Sequence, residues 1–260
     1  FEKALVSYQE LSNSLPSNPF YFQRKIDCMQ QLLQYDPAEK EIQSRLARSN
    51  QTTLLIELGY NFQLQKNDAK AKKYYDEAVE RIRKNPNEVY GIANAFEKKV
   101  LLEYALKSYL TASEIVPTFD FKYQTALLYG QLGNTDQMIA NFLEEAFENQ
   151  QSAMMIQNQL TRYMSKDDDS KFNESLRKAL IVRVQKNQDV FWNQFLSWFY
   201  MQQKEFGKAF IQEKAIYKRN PESLTNILSL GQFAIEEGNQ EVATEVMNYL
   251  LENTTDTELI

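Results

Sequence analysis

Histidine is absent from this chain. That removes imidazole acid–base catalysis and most zinc sites. Cysteine occurs once, at Cys28, so no internal disulfide can form. With no histidine to activate it, Cys28 reads as a small, half-buried apolar side chain rather than a nucleophile. Seven glycines and six prolines in 260 residues oppose an all-β fold and suit long helices joined by short turns. No glycine-rich phosphate loop occurs. No basic stripe occurs either: the net charge is −6 and the pI near 5.0, which excludes a general phosphate-binding surface and a nucleic-acid partner. No apolar run reaches the roughly 18 residues of a membrane span. The most apolar stretch, 190–201, is broken by Asn193, Gln194 and Ser197. No targeting motif is visible.

What is present is a period. Ala71, Tyr75 and Ala78 return 34 positions later as Ala105, Tyr109 and Ala112. Gly59 and Phe62 return as Ala93 and Phe96. A further copy, 33 residues on, carries Ala126, Tyr129, Met138, Phe142 and Glu145. Towards the C-terminus Ser197, Tyr200 and Ala209 return as Gly231, Ala234 and Ala243, again after 34. Small residues at fixed offsets in a 34-residue period mark a stacked helix–turn–helix repeat. Apolar residues make up 43% of the chain, enough for the continuous core that stacking requires.

The apolar period near 3.6 divides each unit into a helix A and a helix B. An opening half-unit presents Ala4, Leu5, Tyr8 and Leu11 on one face. Because it begins on a second helix and not on methionine, it predicts a piece of a longer protein. Helix A over 20–34 follows, with Phe22, Ile26, Met29 and Leu33 on one face, ended by Asp36-Pro37; helix B covers 38–48. The later pairs are 54–65 with 69–84, 88–99 with 102–115, 121–132 with 135–149, 153–164 with 171–186, 190–203 with 207–219, and 223–237 with 240–253. About three residues are inserted near 186–188. The turn at 99–102 has no glycine, asparagine or aspartate, which leaves either a tight, buried turn or a shifted boundary. The expectation is seven units and a half, about 15 helices, in one domain over 1–260 with weaker repeats at 17–50 and 151–187. Val242, Val246 and Leu250 lie on the last helix with no capping helix after them, so the apolar ends offer self-association as one possible role.

The spacing Val89-Ile92-Ala93-Phe96-Ala105-Tyr109-Ala112-Pro117 resembles the tetratricopeptide repeat (TPR). Leu55-Leu58-Gly59-Phe62-Ala71-Tyr75-Ala78 is close behind, with Pro86 displaced by three. The resemblance covers 52–150 and 190–253 strongly, 153–186 moderately and 20–48 weakly. It implies an all-α, right-handed superhelical solenoid of antiparallel helix pairs whose A helices line a concave groove. It implies a non-enzymatic scaffold that binds a protein or extended peptide, with no cofactor. An accessory domain of a larger enzyme or envelope complex is a further possibility. The amide- and aromatic-rich composition is similar to that of Bacteroidetes TPR proteins, many of them exported, which favours the bacterial envelope slightly over the cytoplasm.

Counted in the register of that family, groove positions fall on Tyr60 and Gln63; Asn87, Tyr90, Asn94 and Glu97; Tyr123, Leu127 and Gln131; Gln157 and Thr161; Gln194, Trp198, Met201 and Gln202; and Leu228, Gln232 and Glu236. Of these, Tyr60, Tyr90, Asn94, Tyr123, Gln157, Gln194, Trp198 and Gln232 are the candidate binding residues. Aromatic anchors beside amides suit a peptide backbone, because an amide donates and accepts together. The repeating small and aromatic residues are core packing. In the cluster Trp192, Phe195, Trp198 and Phe199, the helical period puts all but Trp198 on one face, leaving Trp198 for the groove. TPR domains that clamp a chaperone's terminal carboxylate resemble a pattern of lysine at the fifth position and further cations beyond. Here Tyr90, Asn94, Gln124, Met154 and Asn158 hold those places, and without a charge-assisted donor no carboxylate clamp is expected. Asp167-Asp168-Asp169 lacks the alternation, glycine and distant glutamate of a calcium loop, so it reads as a solvated turn and no metal site is expected.

Overall fold

The structure is a computed structural model that describes residues 1–164, 170–187, 189–221 and 224–254. The Asp167–Asp169 run lies outside the described residues. The fold is all-α, built from successive helix pairs joined by short turns. Two compact units divide the chain, Phe1–Asn134 and Thr135–Ile260.

The first unit holds α1 (Glu2–Ser14), α2 (Pro19–Gln31), α3 (Tyr35–Ser49), α4 (Thr52–Leu64), α5 (Asp68–Lys84), α6 (Val89–Lys98), α7 (Leu102–Ile115) and α8 (Lys122–Gln131). One core runs through it, from Phe22, Ile26 and Ile42 through Leu58, Phe62 and Tyr75 to Phe96, Tyr109 and Leu128. The second unit holds α9 (Thr135–Glu148), α10 (Ala153–Met164), α11 (Ser170–Lys186), α12 (Val190–Gln202), α13 (Phe206–Arg219), α14 (Thr225–Glu236) and α15 (Gln240–Asn253). Phe142, Ile156, Leu176, Phe195, Phe199 and Val246 are buried in it. The sequence period therefore placed these helices to within one to three residues of most of their ends.

The turns inside the pairs share one backbone device. Leu33, Lys66, Val100, Gly133, Lys204 and Gly238 all sit in the left-handed region, with φ between 56° and 77°. After each, the next amide reaches back five residues, as in Gln34 N–H to Met29 O at 2.8 Å and Leu101 N–H to Phe96 O at 3.0 Å. This is the Schellman closure of a helix C-terminus, and glycine suits its left-handed position best. Only two of the six described turns use glycine. The turn at 99–102 is therefore neither buried nor shifted. It is tight, with Val100 76% exposed and its backbone in the same conformation as the glycine turns. Polar N-caps start the helices that follow, such as Asn67 accepting from the Lys70 amide and Asn239 from the Val242 amide.

Four expectations need correction. Pro37 does not end a helix; it stands in the first turn of α3, where its missing N–H costs nothing. Leu33 is not on the buried face of α2, because it occupies the left-handed turn and is exposed. On α1, Ser12 takes the buried place expected of Leu11, which is exposed. Val246 and Leu250 are not an open apolar edge: both are buried within the second unit, and Leu251 is the large apolar residue left exposed on α15.

Close approach of paired helices explains the small residues. A Cβ placed on Gly59 of α4 would lie 2.5 Å from Cε1 of Tyr75 on α5. A Cβ on Gly231 of α14 would lie 2.8 Å from a methyl of Val246 and 3.0 Å from Cε of Met247 on α15. The same A–B pairing, sixteen residues apart, joins Ala93 to Tyr109 and Ser197 to Glu213 in the sequence.

Candidate functional site

The first unit carries a buried polar cluster centred on α4, and the second a polar-lined cavity between α12, α13 and α14. In the first unit, Glu57 of α4 is 4% exposed. Its carboxylate accepts from Gln23 Nε2 at 2.7 Å, Gln30 Nε2 at 3.0 Å and Lys99 Nζ at 3.0 Å. Lys99, just past the end of α6, also reaches Asp27 at 3.4 Å and lies 4.4 Å from the centre of the Tyr60 ring. This ties α2, α4 and the α6 terminus together through side chains that are hydrogen-bonded to one another. Lys99 is thereby committed to two carboxylates, which leaves it no charge to offer a ligand.

In the second unit, α12, α13 and α14 surround a cavity of about 600 Å³, a size suited to a small ligand or a few side chains. Trp198, Met201, Phe206, Leu230 and Phe233 supply apolar walls. Gln194, Gln202 and the Lys204–Glu237 ion pair, 2.6 Å long, stand around the opening. Ser197, Asn226, Ser229 and Glu213 contribute the remaining polar lining. Glu213 is only 8% exposed. Burial pushes its carboxyl above the usual carboxylate range, opposed by hydrogen bonds from the Ser197 hydroxyl and the Asn226 side chain. Trp198 is fixed by an edge-to-face contact with buried Phe195, ring centres 5.2 Å apart. Trp192, Phe195 and Phe199 are all buried, so the helical period correctly separated Trp198 from them.

The eight candidate binding residues divide between the units. Tyr60 is half-buried beneath Lys99. Tyr90 is 54% exposed, yet its ring packs edge-on against Tyr109 and Phe121, at 6.0 and 5.3 Å. Asn94 is exposed on α6 and Tyr123 half-buried on α8. In the second unit Gln157 is half-buried on α10, and Gln232 is exposed on α14 away from the cavity lining. Gln194 and Trp198 are brought together in the cavity wall, with Met201 and Gln202 of the wider register.

Glu213 and Glu57 were missed. Glu57 was hidden because a lone acid in an amphipathic helix reads as solvent-facing until its neighbours are known. Glu213 did leave a signal. The position four residues after the small or apolar residue of helix B holds Ile42, Tyr75, Tyr109, Phe142, Leu176 and Met247 in the other units, and glutamate in this one. Cys28, expected to be half-buried, is buried at 5% exposure. Among the described residues no cluster of three or more histidine, cysteine or acidic side chains could hold a metal, and no helix is long and apolar enough to cross a membrane.

No protein-family model matches the sequence, and no curated protein matches it. Solved structures similar to the chain include the C-terminal part of a TPR repeat-containing protein from Cytophaga hutchinsonii. That likeness has 17% identity over 87% of this chain and 93% of the other, with a TM-score of 0.34. A tetratricopeptide repeat protein from Parabacteroides merdae is similar at 16% identity over 98% of this chain and 96% of the other, with a TM-score of 0.32. The APC/C hetero-tetramer Cut9–Hcn1 is similar at 12% identity over 98% of this chain, which spans 50% of that partner's length, with a TM-score of 0.34.

Proposed function

We propose that the chain is a non-enzymatic helical-repeat scaffold that binds an extended peptide segment of a partner protein through its A-helix faces. The observation that carries this reading is the cavity beside Trp198. It combines a large aromatic wall, a hydrogen-bonding rim of amides and an open mouth. An exposed aromatic supplies contact area at low entropic cost, and amides satisfy a peptide backbone in both directions. In the first unit Tyr90 and Asn94 offer a smaller version of the same pairing on α6.

Randomised peptide pools presented to the immobilised protein test the reading. Enriched peptides are expected, and Trp198→Ala is expected to weaken them at least about tenfold, a typical loss for an aromatic hot spot. Tyr90→Ala reports on the first unit in the same assay. No enrichment from any pool, or binding indifferent to both substitutions, would sink the proposal. Self-association through α1 is the second reading, favoured by Phe1, Val6 and Leu15 at 72%, 60% and 50% exposure. Light scattering across concentration, with and without Val6→Glu, separates it from peptide binding.

A further inference from the structure

We infer that the α12–α13–α14 cavity receives the cationic side chain of a lysine or arginine in the bound peptide, paired with Glu213 and laid against Trp198 and Phe233. The inference deepens the peptide-binding reading and rests on it.

Four observations carry it. The first is the slot. In every other unit the position of Glu213 holds an apolar or aromatic side chain. Tyr75 packs against Gly59 so tightly that a Cβ would sit 2.5 Å from its ring. A glutamate is shorter than a tyrosine, and its polar end replaces the ring. The repeat has exchanged a packing residue for a buried charge at the one place where a cavity opens between α12, α13 and α14.

The second is the charge balance. The polar groups that act on Glu213 are the hydroxyl of Ser197 and the amide of Asn226, both neutral. Lys204, the cation in the cavity lining, is held by Glu237 at 2.6 Å. The lining thus carries one buried carboxylate without a cationic partner. Such a group is costly when left alone and is relieved by a partner that brings the opposite charge. A carboxylate can accept about four hydrogen bonds, so two neutral donors leave room for an ammonium or guanidinium.

The third is the wall. Trp198 and Phe233 present aromatic surface, and Phe233 is 50% exposed. Aromatic faces attract cations, and apolar walls accommodate the methylene stem that carries the charged end of lysine or arginine. The fourth is what the lining refuses. A phosphate or carboxylate would meet Glu213 with no free cation to offset it. A divalent metal wants several oxygen ligands with more than one carboxylate, and Glu213 is the one acid at this depth.

The test uses the whole chain and four pools of acetylated, amidated nonapeptides with randomised flanks and lysine, arginine, norleucine or glutamate at the centre. Binding is read from the indole N–H resonance of Trp198. The lysine and arginine pools are expected to bind at least about tenfold more tightly than the norleucine pool, the discrimination ordinarily given by one desolvated charge pair. Glu213→Gln keeps the shape and removes the charge, and should erase that preference. The double variant Ser197→Ala/Glu213→Tyr rebuilds the Ala93–Tyr109 pair of the first unit, should fold at least as stably, and should close the cavity to every pool. Norleucine or glutamate peptides binding as tightly as lysine ones, or a cation preference surviving Glu213→Gln, would overturn the inference while leaving a peptide-binding scaffold in place. Failure of all four pools to perturb Trp198 would overturn both.

Discussion

Val100→Gly should stabilise the protein, although it replaces a β-branched residue by the most flexible one. Val100 holds φ at 59° in the turn between α6 and α7, where the sister turns hold Gly133 and Gly238 at 77° and 76°. An L-residue in this region costs roughly 1–2 kcal/mol because its Cβ crowds the carbonyl oxygen that follows, and β-branching puts valine at the upper end. Glycine removes that cost. Against it stands the larger entropy of glycine in the unfolded chain, roughly 0.5–1 kcal/mol. Little burial is lost, since Val100 is 76% exposed. The balance is about 1 kcal/mol in favour of glycine, or about 2–4 °C in Tm for a chain of this size. Val100→Ala keeps the Cβ but loses the branch, and should recover only part of that gain. Calorimetric scans of the three proteins decide the matter. A Tm for Val100→Gly below that of the wild type would show that the left-handed strain is not stored at this turn.

Two further outcomes follow from the polar assemblies. Lys99→Met should cost about 2–4 kcal/mol in urea denaturation, because it strands the buried Glu57 carboxylate, and adding Glu57→Gln should recover much of the loss; additive losses in the double variant would refute the coupling. Glu213 carries a carboxyl held above its ordinary 4.5 by burial. The folded state therefore keeps this proton at pH values where the unfolded chain has released it. Stability contributed by Glu213 should be full below about 4.5 and fall as pH rises through the raised value, by up to about 1.4 kcal/mol per pH unit. Glu213→Gln should remove that slope in denaturation curves taken from about pH 4 to 8, and an unchanged slope would place the carboxyl in water.

The sequence by itself determined the helix pairs. A 34-residue period with small residues at Gly59, Ala93 and Gly231 is dictated by how near two helices can pass, so it is written wherever those helices touch. The face carrying Trp192, Phe195 and Phe199 was legible for the same reason, since a helix with a 3.6 period has one inner stripe. The αL turns were not fully legible. Leu33, Lys66, Val100 and Lys204 adopt a conformation that their residue types disfavour, because the two flanking helices are packed and only that turn joins them. Pro37 misled for a related reason: a proline that breaks a helix when read from the N-terminal side also starts one when read from the other.

The fates of Glu57 and Glu213 were decided by tertiary structure. Each is one acid in an amphipathic helix, and only the repeat register, in the case of Glu213, sets it apart from a solvated residue. Glu57 is buried because Gln23 and Gln30 of α2 and Lys99 of the turn after α6 bring it the donors that water would have supplied. Glu213 is buried because the stacking that buries Tyr75 and Tyr109 sets its position deep beside α12, at the inner end of the cavity. The repeat thus fixes where an inner slot lies, and only the assembled neighbours decide whether an acid in that slot is already paired, like Glu57, or held between neutral donors, like Glu213.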